Sequence, residues 1–408
     1  MLTVTRGAAL YIGALVGPGL LLVPALAQQA AGPAAIVAWL GVLAVSAPIA
    51  ATFAALAVRH PVPGGVSAYV RESFGGAAAA VTGIWFVTAV VVGGPAVALV
   101  GGLYVAELVG WGPGGALVVA VALYVVVLAV NTAGLQVSSA VQLVVSALLV
   151  LLVGVAAGVA APRVSAGTWT PFAPHGWWAV GTAANILMWM VFGWEAMAQL
   201  AGEFRRPRRD VPRAIWTAFA VIAVLYVALG VATIAVPSTV DAPVPLADLM
   251  AVGFGTAGRV VTTVLALVLT LGTMNVYTGS AATLTVDLAH QGALPAWFAG
   301  GAGPRTRRRP LAVLAATSTV MFLLLAMGAF SVDTLVRATS ACFVAVYVLA
   351  LAAAVRTLEA GGRGLAVVAL AAVGVVAAFS SVYVLVPAVA AVLVLVMRRR
   401  DRGTVVAG

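Results

Sequence analysis

Residues 13–20 read Gly13-Ala14-Leu15-Val16-Gly17-Pro18-Gly19-Leu20, and residues 189–195 read Trp189-Met190-Val191-Phe192-Gly193-Trp194-Glu195. Each stretch sits inside a long apolar run and interrupts it. A helix that breaks within hydrocarbon strands backbone N–H and C=O groups, so a break survives only where a cavity or a ligand satisfies them. Interruptions at matching places in two halves of a chain therefore point to a binding site near the bilayer midplane.

Composition places the whole chain in the membrane class. Of its 408 residues 63% are hydrophobic and 8% charged, with apolar runs recurring from end to end. Ordinary soluble domains do not have this profile. All 21 basic residues are arginine, and the absence of lysine excludes a Walker A phosphate loop and a lysine Schiff base. The net charge of +10 does not mark a nucleic-acid binder, because the arginines occupy short loops between apolar runs. Cys342, alone in the chain, lies in an apolar run and is expected to pack there.

At about 20 apolar residues per span, the pattern predicts an all-α membrane protein of twelve transmembrane helices. They fall near 7–30, 33–57, 76–109, 114–131, 136–160, 177–202, 211–236, 256–290, 310–329, 331–356, 364–378 and 380–397. With a cytoplasmic N-terminus, 18 arginines fall in inside loops, against Arg163 and Arg259 outside and Arg337 within span ten. The positive-inside rule therefore predicts cytoplasmic N- and C-termini in the inner membrane. Arg6, the first apolar run and Ala25-Leu26-Ala27 are similar to a cleavable signal peptide. Gly17-Pro18-Gly19 would break its core, so retention of the segment is expected.

A shift of 176 residues carries Gly17 onto Gly193 and Asn131 onto Arg307, and it aligns the loop at His60 with that at Pro237. The halves share a five-span period. Five is odd, so the second half enters the membrane from the opposite face, as in inverted-repeat secondary transporters. The expected layout is one transmembrane domain: repeat one over about 7–160, repeat two over about 177–356, and a C-terminal hairpin over about 364–397.

Four stretches carry a family resemblance through spans one to ten. Besides the first break, they are Pro63-Gly64-Gly65-Val66-Ser67-Ala68-Tyr69-Val70 with Phe74-Gly75, the run from Glu203 to Ile215, and Asp287-Leu288-Ala289-His290-Gln291-Gly292-Ala293-Leu294-Pro295. In this order they resemble the amino acid–polyamine–organocation (APC) transporter superfamily. Gly17-Pro18-Gly19-Leu20-Leu21 and Gly272-Thr273-Met274-Asn275-Val276-Tyr277 are similar to its bacterial branch that exports L-methionine and branched-chain amino acids. The resemblance implies a 5+5 inverted repeat with broken helices 1 and 6, the LeuT-like fold, plus two C-terminal helices.

The breaks suit a free α-amino acid. A half-helix starting near Leu20 presents N–H groups and the positive end of its dipole to a carboxylate, with Gly17 and Gly19 allowing close approach and Pro18 needing no donor. Carbonyls of Met190, Val191 and Phe192 would accept from an ammonium group, with Gly193 opening the turn. Isolated glycines such as Gly13 and Gly83 are read as packing positions. Glu195 is an ionisable group within a span, and such groups usually serve a proton, an ion or a substrate. The alternative is a carboxylate that caps nearby N–H groups. The resemblance implies a proton-coupling role for Glu195 and a substrate-stacking role for Trp189, which helix packing would also explain.

No catalytic constellation, cofactor motif or metal-ligand spacing appears among the three histidines and eleven acidic residues. Asp333 and Arg337, four apart, are expected to pair. Ser280, Thr283 and Thr285 would suit a sodium site as well as packing. Arg205 to Arg213 are expected to set topology and touch anionic lipid. The expected function is proton-linked export of neutral hydrophobic amino acids such as methionine, leucine, isoleucine and valine. The alternatives are a cationic amino acid or polyamine exchanger and, more distantly, a membrane-embedded enzyme or passive channel. Oligomeric state is not legible in the chain.

Overall fold

A computed structural model describes residues 2–59, 65–134, 139–196, 204–237, 241–299 and 307–406. His60, Pro63, Gly64 and Glu203, singled out in the sequence, lie outside them. The first half contains α1 (Val4–Leu15), α2 (Gly19–Ala31), α3 (Ala35–Arg59), α4 (Gly65–Val109), α5 (Gly112–Thr132) and α6 (Ser139–Ala160). The second contains α7 (Trp178–Leu187), α8 (Pro207–Ala235), α9 (Pro245–His290), α10 (Arg308–Ala326) and α11 (Val332–Thr357), followed by α12 (Ala360–Ala378) and α13 (Leu385–Val406).

Helix starts follow local chemistry. The Thr3 hydroxyl accepts from the Arg6 N–H at 3.4 Å, and the Ser331 hydroxyl accepts from the Thr334 N–H at 3.2 Å. Proline opens α8 and α9, where its missing donor is not needed. Among the described residues ten helical stretches are long and apolar enough to cross a membrane, with Gly19–Arg59 counted as one. The sequence predicts twelve spans, and the difference has a physical cause. Span one is split, so Val4–Leu15 falls short by length, while α2 runs through a 3-10 turn at Gly32–Ala34 into α3. Span six is split after the ten residues of α7.

Two long helices are also kinked. Gly75 in α4 has φ 82° and Gly255 in α9 has φ 55°, a backbone region that only glycine enters without strain. The kinks directly precede the expected starts of spans three and eight. Their separation of 180 residues is one helical turn from the 176-residue repeat offset, so each half carries a short arm before its long span.

The hub of the bundle is α4, which packs against α5, α9 and α11; α1 and α3 pack on α8, and α2 and α3 on α7. Small residues let these backbones approach. Gly13 faces the Ser146 side chain and Gly83 the Leu288 side chain, as expected of packing glycines. Helix ends are tied by Arg59–Glu359 at 3.0 Å, Arg259–Asp248 at 2.6 Å and Arg337–Asp333 at 2.8 Å, the last being the expected pair.

The C-terminal hairpin is part of this packing. Asn185 of α7, 2% exposed, donates to the Ser380 hydroxyl at 3.0 Å, and the Trp178 ring lies 4.7 Å from that of Phe379. On the hairpin's other side the Trp85 indole of α4 donates to the Pro387 carbonyl at 2.6 Å.

Candidate functional site

The first break spans Val16 to Pro18. Short local bonds close it: Gly17 N–H donates to the Leu15 carbonyl at 3.0 Å, and Leu20 N–H to the Gly17 carbonyl at 3.1 Å. Pro18 caps α2 without a side-chain bond. Among the described residues the Gly19 N–H makes no backbone hydrogen bond. Fewer donors are thus free than the sequence suggests, and the one left stands at the positive end of α2.

The second break is longer. After α7 the chain makes a 3-10 turn at Met188–Met190, a bend through Val191–Gly193 and another 3-10 turn at Trp194–Ala196. Gly193 has φ 132°, and a Cβ there would lie 2.8 Å from the Ala14 carbonyl oxygen. Gly193 therefore meets the end of α1 backbone to backbone. A Cβ on Gly19 would lie 3.2 Å from Cδ1 of Trp189 and 3.5 Å from Cγ of Met190. These two contacts bring the breaks side by side.

Tyr226 of α8 joins them directly. Its hydroxyl lies 2.9 Å from the Met190 carbonyl and 3.2 Å from the Leu15 carbonyl, so one donor serves both interruptions. The Val191 carbonyl faces the Tyr347 hydroxyl of α11 at 3.5 Å. The Met190 and Val191 carbonyls are therefore not bare, contrary to the sequence expectation, although each keeps a second lone pair.

Glu195 is partly buried beside this bend. Its Oε2 accepts from the Gly193 N–H at 2.8 Å and from the Tyr347 hydroxyl. The carboxylate thus caps the broken backbone, the alternative role considered for it, and also faces the break. Trp194 is fully buried, its indole donating to the Ser46 hydroxyl of α3 at 2.7 Å.

Aromatic rings line the same region. Phe192 stacks on Phe343 of α11 at 4.6 Å, and Phe343 meets Phe86 of α4 edge to face at 5.8 Å and Tyr277 of α9 at 6.3 Å. Leu20, Met190, Val191 and Phe192 are buried, Pro18 is buried, and Gly17, Gly19 and Trp189 are partly so. Gly17 looks toward α9, its nearest side-chain atom being the Thr273 hydroxyl, 3.9 Å from a Cβ built there. A cavity of about 250 Å³ lies behind the first break, lined by Gly13, Val16, Ser146, Thr273 and Asn275 among others, and none of Trp189 to Glu195 reaches it.

Tyr226, Tyr347, Phe343 and Ser46 were not singled out in the sequence. A tyrosine or serine inside an apolar span is the available signal, since each buried hydroxyl needs a partner.

The amino acid permease family profile matches residues 2–403. The chain belongs to the amino acid permease family. Its relatives include the uncharacterized amino acid permease YecA of Bacillus subtilis (strain 168), 33% identical over 397 residues, or 96% of this chain and 93% of YecA. The L-methionine/branched-chain amino acid exporter YjeH of Escherichia coli (strain K12) is 27% identical over 372 residues, covering 90% of this permease and 88% of YjeH. Among solved structures, MhsT in complex with L-phenylalanine superposes with a TM-score of 0.62 at 13% identity, over 96% of this permease and 98% of that chain. This likeness establishes the LeuT-like fold with its two broken helices. The permease is a multi-pass membrane transporter of amino acids, and not an enzyme.

Proposed function

We propose that the permease exports neutral hydrophobic amino acids across the cytoplasmic membrane by proton-linked alternating access. The observation that carries this reading is the apposition of Gly19 with Trp189 and Met190. It sets the free N–H of one half-helix beside the carbonyls of the other break, a carboxylate receptor next to an ammonium receptor. Gly17, Pro18, Gly19 and Leu20 hold the carboxylate end, and Met190, Val191, Phe192 and Gly193 the ammonium end. Trp189, Phe192 and Phe343 offer rings to an apolar side chain, as a hydrophobic substrate requires.

Glu195 carries the coupling proton in this reading. Among the described residues its partners are a backbone N–H and a tyrosine hydroxyl, with no arginine. The rings of Phe192, Phe343 and Phe86 around the break favour an apolar side chain over a cationic or polyamine substrate. The Thr283 and Thr285 hydroxyls donate to the carbonyls of Gly279 and Ala281, at 2.9 and 2.8 Å, the intrahelical bonds that the packing role expects. The exporter named among the relatives supports the outward direction and the substrate class. The arginine distribution supports cytoplasmic termini, twelve spans and an inner-membrane location.

The test is flux in proteoliposomes across a panel of amino acids, with proton and sodium gradients imposed separately. Saturable, proton-driven methionine or leucine flux is expected. Sodium-driven flux, or selectivity for arginine-like substrates, would refute the reading.

A further inference from the structure

The inner end of α8 carries more positive charge than the transport reading uses. Arg205, Arg206, Arg208, Arg209 and Arg213 are all exposed, and among the described residues none of these side chains forms an ion pair or a hydrogen bond. Cations at a helix N-terminus oppose its dipole, so this crowding does not serve the helix. Asp210 is the single acidic residue in the first turn. A bridge between Leu2 and Phe204 brings the start of α1 alongside, and with it exposed Arg6.

The exposed face of α8 decides what these arginines meet. Beyond Arg208, exposed Arg209, Arg213, Trp216, Thr217, Ala220 and Val224 are spaced so as to form one stripe. Val224, 70% exposed, is open to lipid on a membrane-spanning helix, and Trp216, 49% exposed, is the kind of side chain that collects at the interface. At 1.5 Å per residue, Arg213 lies only about 5 Å along the axis from Trp216. The arginines thus stand directly above the lipid-facing stripe, at the height of phosphate groups, and a guanidinium fork binds phosphate bidentately.

The geometry points to a binding site for the headgroup of an anionic phospholipid on this face, with Arg209 and Arg213 as its central ligands. The stripe below accommodates the acyl chains, which a free phosphate would not use. The site does not depend on the transported substrate.

Binding to the purified full-length protein tests this by native mass spectrometry, with dioleoyl-phosphatidylglycerol and dioleoyl-phosphatidylcholine as probes. In Arg209→Gln/Arg213→Gln, phosphatidylglycerol affinity should fall by roughly tenfold or more, given the contribution of each basic residue near an anionic surface. Arg209→Lys/Arg213→Lys should keep most of it, and Arg308→Gln/Arg363→Gln, which removes two exposed arginines elsewhere, should behave as wild type. Millimolar inorganic phosphate should not displace the lipid. Equal binding of phosphatidylcholine, equal losses in both glutamine variants, or displacement by inorganic phosphate would each overturn the assignment.

Discussion

The Gly193 N–H donates to Oε2 of Glu195 at 2.8 Å, so the carboxylate caps the interruption it follows. Tyr347 donates to the same oxygen. Any change of charge on Glu195 therefore acts on the backbone that shapes the break, which links protonation to the geometry of the proposed site. In Glu195→Gln an amide oxygen remains to accept both bonds while the titrating group is gone. Substrate binding and exchange should persist, and net methionine flux should lose its response to an imposed pH gradient. Wild-type proton dependence in this variant leaves Glu195 with the capping role alone.

Glu195→Ala removes the acceptor as well. An unsatisfied buried N–H costs about 1–3 kcal/mol, so this variant should unfold at a lower temperature than Glu195→Gln in a thermal-shift assay. Equal stability of the two would show that the Gly193 bond contributes little.

Gly19→Val should abolish amino acid binding while the protein still inserts. The first added carbon already sits 3.2 Å from Trp189, and branching extends toward Met190. Overpacking of this kind costs roughly 1–3 kcal/mol, about 5- to 150-fold if it falls on the bound state, before any loss of access to the Gly19 N–H. Unchanged affinity by calorimetry would place the substrate elsewhere.

Gly193→Ala should be among the most disruptive alanine substitutions in the chain. It demands a φ of 132° of an L-residue and puts a carbon 2.8 Å from the Ala14 carbonyl oxygen. Gly361→Ala is the control, with ordinary φ and nothing within 4 Å of the new carbon. Strain of this kind costs on the order of 1–3 kcal/mol. A melting temperature for Gly193→Ala equal to that of Gly361→Ala would contradict the contact.

Tyr226→Phe keeps the ring against Trp39 and deletes the hydroxyl shared by Leu15 and Met190. Stability should drop by about 1–3 kcal/mol, because two buried carbonyls lose their donor. Transport should fall by more than the folded fraction, and initial flux per folded protein measures that difference.

The breaks were legible because they are local. Gly17-Pro18-Gly19 lacks side chains and a donor in consecutive positions, and no continuous helix in hydrocarbon has a use for that. Gly193 was legible through its offset from Gly17. The kinks at Gly75 and Gly255 were not, since two glycines among 44 carry no mark of a positive φ. Nor were Tyr226, Tyr347 and Ser46 as partners of the breaks. Their role depends on which faces of α8, α11 and α3 turn inward, and a span that is apolar all round has little periodicity to reveal its orientation. The count of spans blurred for a related reason: a helix that is split for function falls below the length by which spans are recognised.

The C-terminal hairpin holds the first half of the sixth span. Asn185, Trp178 and Gly181 of α7 are all engaged by Ser380 and Phe379, and Trp85 pins the hairpin to α4. Past Gly193 the described residues are held to other helices, Trp194 by Ser46 of α3 and Glu195 by Tyr347 of α11. During the passage between the two access states α7, the hairpin and α4 should therefore travel as one unit. Spin labels at position 182 and on α4 should report one narrow distance distribution that persists through turnover; a broad or bimodal one would contradict the clamp.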